Sequence, residues 1–295
     1  MTILVTGGSG QLALALDAAA IASGVPVTRV GRPGFDFDHP ATIGDVFARA
    51  APSLIVNAAA YTAVDAAEDD AEAAYRANRD GPAALAQLCA EAGVPLVHVS
   101  TDYVFDGTKG APYVETDQTA PTGIYGASKL AGEQAVLDAC PRSIVLRTSW
   151  VYSPTGKNFV RTMLAASRKT NRLRVVADQT GCPTTAADLA GAILAIAARI
   201  GRDGWQDRFA GVFHAAGTGA TTWHGLAVAA FEEAARHGLP MPSVDPIATA
   251  DWPTRARRPA DSRLDCGRLA AVFGLALPPW RASLAPAVDA IIASG

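Results

Sequence analysis

The fold is indicated most clearly by "ILVTGGSGQLA" at residues 3–13, where a short apolar run meets a glycine-rich turn and then a helical pattern. Gly7 and Gly10 lie directly after a predicted strand at 3–6 and at the start of a predicted helix at 11–23. Bare backbone at these positions lets a pyrophosphate approach the helix N-terminus. A glycine pair also fits an ordinary tight turn, but the flanking strand and helix favour dinucleotide binding.

The first half of the chain continues this alternation of apolar strands and longer helical segments, which is typical of βαβ units. The strands are apolar almost throughout, which suits a parallel sheet covered by helices on both faces. Further strands are predicted at 25–30, 53–60, 95–100 and 143–149, and further helices at 40–50, near 68–92 and at 125–139. The sequence therefore predicts a doubly wound, Rossmann-like α/β domain for NAD(P) over residues 1–150.

The second half has looser spacing. A proline-rich, irregular stretch is expected at 239–259, with short helices after it. Before it, the pattern predicts a helix near 157–169, a strand at 172–176, a helix at 186–200, a strand at 211–215 and a helix at 222–237. Residues 151–295 are expected to form mainly a smaller C-terminal α/β substrate lobe, with some segments returning to the sheet.

Composition points to a small-molecule partner. The chain of 295 residues is 49% hydrophobic, its formal net charge is −3, and its longest basic run is "RARR" at 255–258. This argues against a nucleic-acid surface and against a membrane-surface helix. The first residues resemble neither a signal peptide nor a membrane span, so a cytoplasmic location is expected.

The cysteines and histidines are expected to be structural. Cys89, Cys140, Cys182 and Cys266 form no metal-ligand spacing and are predicted to be free thiols. His98 and His214 lie on predicted strands as packed core residues, and His224 belongs to the start of a helix.

A candidate catalytic set follows the fourth predicted strand. Thr101 lies at the carboxyl edge of the sheet, and Tyr125 and Lys129 lie one helical turn apart in "YGASK". The ordinary pKa of a phenol is about 10. A neighbouring ammonium and a positive nicotinamide are expected to lower it, so that Tyr125 can protonate a nascent alkoxide while Lys129 holds the nicotinamide ribose.

The second strand bears on the choice of cofactor. Gly31 and Arg32 stand where a ribose-binding acid would mark NAD. Arg32 either meets a 2′-phosphate or is a solvated loop residue, and the first alternative favours NADPH, with NADH as an accepted substitute. Asp36 and Phe37 are expected to border the adenine.

Further motifs extend the catalytic pattern over nearly the whole chain. They are "VNAAAYTAVDAAE" (56–68), "STDYVFDG" (100–107), "YGASKLAGE" (125–133), "RTSWVYS" (147–153), "NFVRTML" (158–164), "DQTGCPT" (178–184), "TTWHGLA" (221–227) and "RRPADSRL" (257–264). In these blocks the sequence resembles the dTDP-4-dehydrorhamnose reductases of the extended short-chain dehydrogenase/reductase superfamily. The blocks "RTSWVY" and "DQTGCPT" are far more specific than a Tyr/Lys pair.

The resemblance implies the last step of dTDP-L-rhamnose synthesis, which serves cell-surface polysaccharide. In that step hydride passes from NADPH to the C4 ketone of dTDP-4-dehydro-L-rhamnose, and Tyr125 supplies the proton. Carried over by motif, the cofactor residues are Gly10, Gln11, Leu12, Asp36, Phe37, Ala60, Tyr61 and Thr62, and the substrate residues are Thr101, Asp102 and Trp150. Trp150 would meet the apolar face of a deoxyhexose. Arg257 and Arg258 either pair with the substrate diphosphate or lie in a solvated loop.

One departure from the family concerns metal. Some members bind magnesium through acidic side chains near a subunit contact, but here Ala187 stands where an acid would be expected, and the adjacent Asp188 would point elsewhere on the helix. The sequence therefore predicts no structural metal and a magnesium-independent homodimer or monomer.

Other functions within the superfamily stay open. Dehydratases follow the threonine with Asp-Glu, whereas here Tyr103 follows Asp102, which disfavours dehydration. Epimerases retain tightly bound NAD, so oxidised cofactor in the purified protein would favour them. A different sugar-nucleotide 4-ketoreductase and a non-catalytic nucleotide-binding regulatory subunit are the remaining alternatives.

Overall fold

The computed structural model describes residues 2–294. The first half of the chain forms a sheet with helices on both faces. The strands are β1 (Ile3–Thr6), β2 (Val27–Arg29), β3 (Leu54–Asn57), β4 (Leu96–Thr101), β5 (Ser143–Thr148), β6 (Val151–Tyr152), β7 (Arg172–Val176), β8 (Thr180–Gly181), β9 (Thr184–Thr185), β10 (Gly211–His214), β11 (Thr221–Thr222) and β12 (Ser243–Ile247). The predicted α/β class is confirmed.

The α-helices are α1 (Gln11–Ser23), α2 (Ala41–Ala50), α3 (Val64–Ala67), α4 (Ala71–Tyr75), α5 (Gly81–Ala92), α6 (Ile124–Ala139), α7 (Phe159–Ser167), α8 (Ala186–Asp203), α9 (Trp223–Ala235), α10 (Gly267–Phe273) and α11 (Trp280–Ala293). A π-helical turn covers Arg76–Asp80, and 3-10 turns cover Asp102–Val104, Asp207–Phe209 and Thr249–Asp251. Within residues 2–294, no helix combines the length and the apolar character needed to cross a membrane.

The central sheet has the strand order β10-β5-β4-β3-β1-β2 and is parallel throughout. The chain runs outward from β1 to β2 in one direction and from β3 to β10 in the other. The strand order therefore reverses at β1, and in open α/β sheets ligands bind outside the carboxyl ends of the strands at such a point.

Apolar side chains on both faces of the sheet explain why its strands are buried. On one face, α1 packs against α8 through a cluster that includes Leu16, Ile193 and Ile196. On the other face, Leu85 of α5 and Val136 of α6 belong to a second cluster. A continuous apolar run suits a strand that is covered twice, which is the pattern predicted for a doubly wound sheet.

The second half of the chain adds two elements to the central sheet and its covering helices, and it also forms a core of its own. Helix α8 and strand β10 belong to the central sheet layer. A separate core joins α7, α9 and α11 through residues such as Val160, Phe231 and Leu284. The division at residue 150 into a cofactor domain and a substrate lobe stays a prediction.

One segment differs from the sequence prediction, and another agrees with it. Strand β12 lies inside the stretch predicted as irregular and pairs in parallel with β7. It escapes recognition because its sequence, SVDPI, contains a proline and an acid, which a strand tolerates only at an exposed edge. The helix predicted near 68–92 is present from residue 71 to 92 as α4, the π-helical turn and α5 in unbroken succession, and Asp70 caps its start.

Candidate active site

A cavity of about 650 Å³ opens at the carboxyl ends of β1, β3, β4 and β5. Its size suits a small-molecule site, and its lining contains residues from both halves of the chain. It lies at the reversal of strand order, where the topology places a ligand.

The glycine-rich turn forms one end of this cavity by close approach of backbone to backbone. Gly7 has φ +105°, and a Cβ there would lie 2.9 Å from the carbonyl oxygen of Ala58. A Cβ on Gly31 would lie 2.5 Å from the Cα of Gly8. The loops after β1, β2 and β3 therefore meet without side chains between them. The start of α1 lines this end of the cavity, and its first turn contains no acidic residue. The free N–H groups of a helix start attract an anion, so this end is suited to a phosphate.

Gln11 and Leu12, both predicted cofactor residues, follow Gly10 and line the cavity. Leu12 is also part of the core beneath the sheet. The side chain of Gln11 reaches the second half of the chain, because its Oε1 accepts hydrogen bonds from Ser153 Oγ at 3.0 Å and from Asn158 Nδ2 at 2.9 Å. Its side chain thus joins the two sides of the cavity.

The residues predicted for the adenosine end also line the cavity. Arg32 is 71% exposed, and its Nε lies 3.4 Å from Asp36 Oδ1. Phe37 packs over Gly81, where a Cβ would meet the phenyl Cγ at 2.1 Å. An exposed ion pair of this kind contributes little stability, so the guanidinium of Arg32 is free to exchange Asp36 for another anion.

Of the three consecutive residues predicted beside the nicotinamide, Ala60 and Thr62 line the cavity and Tyr61 does not. The Tyr61 N–H donates to Asn78 Oδ1 at 2.8 Å, and its carbonyl accepts from Asn78 Nδ2 at 3.1 Å. Asn78 thus engages both backbone polar groups of Tyr61, and a contact of Tyr61 with the cofactor stays a prediction. Asn78, a buried residue of the π-helical turn, had no signal in the sequence.

The predicted catalytic side chains converge at the centre of the cavity. Thr101 ends β4, and Tyr125 and Lys129 lie on the same side of α6. The Lys129 ammonium is 2% exposed and donates to the carbonyl of Val99 at 2.7 Å. Burial lowers the pKa of Lys129 to about 8, and the Glu133 carboxylate acts in the opposite direction.

The expected lowering of the pKa of Tyr125 does not arise from the protein's own groups. Burial raises the pKa of the Tyr125 phenol above its ordinary value, and the hydroxyl of Thr101 opposes that change. The carboxylate of Asp102 and the phenol of Tyr103 raise it further. The protein by itself therefore keeps Tyr125 protonated, which is the state that a proton donor to an alkoxide requires.

Asp102 lies directly beneath the threonine and is buried. Its Oδ1 accepts from Thr101 Oγ1 at 3.0 Å, and its Oδ2 accepts from Ser149 Oγ at 3.0 Å. Burial raises the pKa of Asp102 to about 6, while hydroxyls of Ser262, Ser149 and Thr101 act in the opposite direction. Asp102 lines the cavity, as predicted for a substrate contact, and also orients the hydroxyl of Thr101.

A tryptophan pair forms the wall opposite the glycine-rich turn. Trp150 has φ +49°, a conformation that is rare for a bulky residue, and its ring stacks on Trp223 at 3.5 Å and 5°. A Cβ on Gly181 would lie 2.4 Å from Cε2 of Trp150. The indole predicted to meet a deoxyhexose is therefore packed between Gly181 and Trp223, and both tryptophans line the cavity.

Trp223 was missed by sequence reasoning, because its block "TTWHGLA" indicates only the start of a helix. Its Nε1 donates to Gln179 Oε1 at 3.0 Å, and Gln179 Nε2 donates to Thr249 Oγ1 at 3.0 Å. The orientation of the Trp223 indole is therefore fixed by Gln179, a residue that is far from it in sequence.

The two arginines predicted for the diphosphate behave differently. Arg258 lines the cavity, but its Nη2 donates to Asp65 Oδ2 at 2.9 Å and its Nη1 to the Tyr103 hydroxyl at 3.3 Å. Arg257 is exposed and does not line the cavity. Of the two arginines only Arg258 faces the cavity, and a contact of Arg257 with the substrate diphosphate stays a prediction.

The loop between β6 and α7 adds two residues to the lining that sequence reasoning missed. Lys157 and Asn158 both face the cavity. The motif "NFVRTML" contains Asn158 but carries no local indication of a role for either residue.

No histidine or cysteine of the described residues lines the cavity. His98 and His214 are fully buried on β4 and β10, and burial lowers the pKa of His214 to about 4. His224 lies at the start of α9, where its Nε2 lies 3.0 Å from the Val244 carbonyl. The four cysteines, Cys89, Cys140, Cys182 and Cys266, are free.

Ala187, at the position where the resemblance led us to expect an acid, is followed by Asp188. Asp188 Oδ2 accepts from Thr185 Oγ1 at 2.6 Å, and the Thr185 hydroxyl accepts from the Asp188 N–H at 3.0 Å, so this acid belongs to the N-terminal cap of α8. Within residues 2–294, no three His, Cys, Asp or Glu side chains form a group that could hold a metal ion.

The chain matches known proteins over nearly its whole length. The family model described as "RmlD substrate binding domain" covers residues 1–292. The dTDP-4-dehydrorhamnose reductase of Sinorhizobium fredii (strain NBRC 101917 / NGR234) is 46% identical over 295 residues, covering 100% of this chain and 99% of that protein.

Solved structures of the same enzyme share the fold. The dTDP-4-dehydrorhamnose reductase of Clostridium acetobutylicum superimposes with a TM-score of 0.90 at 33% identity, covering 98% of this chain and 99% of the other. The enzyme of Bacillus anthracis, in complex with NADP, has a TM-score of 0.89 at 32% identity with the same coverage.

Proposed function

Because the chain belongs to the RmlD substrate-binding family, whose closely similar members are dTDP-4-dehydrorhamnose reductases, we propose that it is an NADPH-dependent oxidoreductase acting on dTDP-4-dehydro-L-rhamnose. The reaction reduces the C4 ketone and yields dTDP-L-rhamnose. The observation that carries the proposal is the convergence of Thr101, Tyr125 and Lys129 at the centre of a cavity whose one end is bare glycine backbone.

The residues at the glycine end fit a dinucleotide. A Cβ at Gly7 would meet the Ala58 carbonyl oxygen at 2.9 Å, so the backbone there is kept free of side chains. The start of α1 adds N–H groups directed at an anion and no acidic side chain. Arg32, next to Gly31, is placed to meet a 2′-phosphate, which supports NADPH as the preferred cofactor and NADH as a weaker substitute.

When it is bound, the cofactor supplies the hydride. The chain's own residues supply the proton and hold the ketone. Tyr125, kept protonated by burial, donates its proton to the oxygen that becomes the C4 hydroxyl. The Thr101 hydroxyl donates its one proton to Asp102 Oδ1, and it donates to the substrate oxygen once that proton turns from Asp102 to the ketone. Lys129 is held by the Val99 carbonyl, one turn from Tyr125, where it would bind the nicotinamide ribose.

The sugar nucleotide occupies the side of the cavity formed by the second half of the chain. The Trp150–Trp223 pair supplies an apolar wall to the deoxyhexose, and Asp102 and Arg258 supply polar contacts. In this proposal residues 1–150 bind the cofactor and residues 151–295 form mainly the substrate lobe, while α8 and β10 complete the sheet.

We further propose that the enzyme acts in the cytoplasm as a magnesium-independent homodimer or monomer. The use of Asp188 in the cap of α8 supports independence from magnesium, because that carboxylate is already engaged with Thr185. Full activity after dialysis against a chelator is expected, and persistent loss of activity would contradict it.

The test is to mix the protein with NADPH and the keto-sugar nucleotide made by an upstream epimerase, and to follow the loss of reduced-nicotinamide absorbance. Turnover to dTDP-L-rhamnose, identified by chromatography against the 4-epimer, is the expected result. NADPH binding without turnover would instead support a regulatory nucleotide-binding subunit. Formation of the 4-epimer would assign a different ketoreductase.

A further inference from the structure

The loop that joins β6 to α7, residues 153–158, is held against the start of α1 by a single side chain. Gln11 Oε1 accepts from Ser153 Oγ at 3.0 Å and from Asn158 Nδ2 at 2.9 Å, the two ends of this loop. Gln11 immediately follows Gly10, so the 153–158 loop sits beside the phosphate end of the cavity.

Hydrogen bonds within the 153–158 loop also fix its conformation. Asn158 Nδ2 also donates to the Ser153 carbonyl at 2.8 Å, and Asn158 Oδ1 accepts from the Arg161 N–H at 3.0 Å as the cap of α7. Gly156 has φ +71°, and a Cβ there would lie 3.1 Å from Gln11 Cγ. Both neighbours of Lys157 therefore lie against Gln11, Gly156 through its backbone and Asn158 through its side-chain amide.

Lys157 differs from the other basic residues of the cavity. Arg32 is paired with Asp36, Arg258 with Asp65, and Lys129 donates to the Val99 carbonyl. In the part of the chain that the structure describes, Lys157 has no ion pair although it lines the cavity. A long, flexible ammonium without a partner, beside a helix start without acids, is suited to an anionic group of the ligand.

From this geometry we propose that Lys157 binds the diphosphate of the dinucleotide cofactor, although it comes from the half of the chain assigned to the sugar nucleotide. The proposal rests on the proposed function, since it adds a residue to the same cofactor site. The cofactor is favoured over the diphosphate of the sugar nucleotide because both neighbours of Lys157 contact Gln11, the first residue of α1, whose N–H groups face that end of the cavity.

The contacts of Gln11 with the 153–158 loop have a role in this proposal. The negative charge of the cofactor diphosphate would be neutralised by the start of α1 and by Lys157, and Gln11 would hold these two groups at a fixed separation. Gly156 would be required for this contact, because a side chain there would push the loop away from α1.

The experiment measures NADPH affinity by the fluorescence of the bound nucleotide in wild type, Lys157→Gln and Lys157→Arg, with Lys169→Gln as a matched control on an exposed surface. Lys157→Gln should weaken NADPH binding about tenfold, as expected for loss of one charge-assisted hydrogen bond, whereas Lys157→Arg and Lys169→Gln should stay within about twofold of wild type. The affinity of Lys157→Gln should also depend less steeply on salt.

Two further measurements separate the explanations. Gly156→Ala should weaken NADPH binding although the lysine is retained, because the displaced loop carries it away. The KM for the sugar nucleotide should change by less than about twofold in Lys157→Gln. Unchanged NADPH affinity in Lys157→Gln, or a defect in KM for the sugar nucleotide in its place, would overturn the inference. Failure of the wild type to bind NADPH would contradict the proposed function instead.

Discussion

On one side of the cavity the functional groups come from the ends of β1 and β4 and from α6, whereas on the other side they come from segments that are far apart in sequence. Gly7, Thr101 and Tyr125 each lie next to a sheet strand or on the helix after it. Trp150 and Trp223 meet only because α9 packs beside β6, and Gly181 admits the indole between them.

This contrast has a physical cause. Backbone groups at strand ends need only local conformation, so a glycine with φ +105° builds the site wherever the strand and helix form. A stacked tryptophan pair needs two elements at one separation and angle, so it depends on the packing of the whole second core. We therefore expect substitutions on the first side to change turnover and cofactor affinity. Substitutions on the second side should change kcat/KM for the sugar nucleotide.

The largest effect is expected from Tyr125→Phe, which removes the proton donor of the first side and retains its ring. Turnover should fall about 10³-fold, while NADPH affinity stays near the wild-type value, because the phenol contributes to proton transfer and not to phosphate binding. Steady-state kinetics and nucleotide fluorescence measure the two quantities. Tyr75→Phe, which keeps the ring under Arg79, is the control. Turnover at the wild-type rate in Tyr125→Phe would refute the assignment.

The second side is tested by Gly181→Ala, because the new Cβ would lie 2.4 Å from Cε2 of Trp150 and must displace the indole. We expect kcat/KM for the sugar nucleotide to fall at least about tenfold, since misplacement of a binding wall by a fraction of an ångström lowers transition-state binding. NADPH affinity should not change.

Gly191→Ala provides the matched control, since a Cβ at this exposed position of α8 meets nothing within 4 Å. It should leave both parameters unchanged. If Gly181→Ala instead weakened NADPH and spared the sugar nucleotide, the two sides would not divide the ligands as proposed.

A smaller effect is expected from Arg32→Ala, at the adenosine end of the first side. The change should weaken NADPH about tenfold and leave NADH almost unaffected, because only the former offers a 2′-phosphate to the guanidinium. The ratio of the two dissociation constants is the measurement, and Arg49→Ala on exposed α2 is the control. Equal losses for both cofactors would remove the reason for assigning NADPH.

The smallest effect is expected in the pH dependence of the free energy of unfolding, to which Asp102 contributes. Its pKa is raised by burial to about 6, above the ordinary value of an aspartate, so the folded state binds this proton more tightly than the unfolded state does. The resulting stabilisation is complete at pH below about 4 and is lost as pH rises through about 6, an effect of about 3 kcal/mol.

In Asp102→Asn this loss should be absent. The melting temperature of the variant relative to wild type should therefore rise by about 5 °C between pH 4 and pH 8. Asp106→Asn should show almost no change over this range, because the Thr108 N–H lowers the pKa of Asp106 and its contribution to stability is lost only as pH falls below the ordinary value of an aspartate. A pH-independent difference between Asp102→Asn and wild type, measured by thermal unfolding, would contradict the assignment.

The sequence predicted well those features that depend on neighbouring residues. Strands β1 and β7 and helix α1 were placed with their observed bounds, and Thr101, Tyr125 and Lys129 were brought to one cavity by strand ends and helix spacing. Features that depend on a distant partner had no local signal. Asn78, which engages the backbone groups of Tyr61, was not predicted, and β12, which pairs with β7, was predicted to be irregular.

The succession of apolar strand, glycine turn and helix, with a tyrosine one turn before a lysine, was enough to predict the α/β fold and a candidate catalytic set, because each of these features is encoded within a few residues. The sandwiching of Trp150, the exposed position of Arg257 and the contact of Gln11 with the 153–158 loop emerged from the folded chain alone. They depend on side chains far apart in sequence, whose separation is set by how the two cores pack and not by any local preference of the backbone.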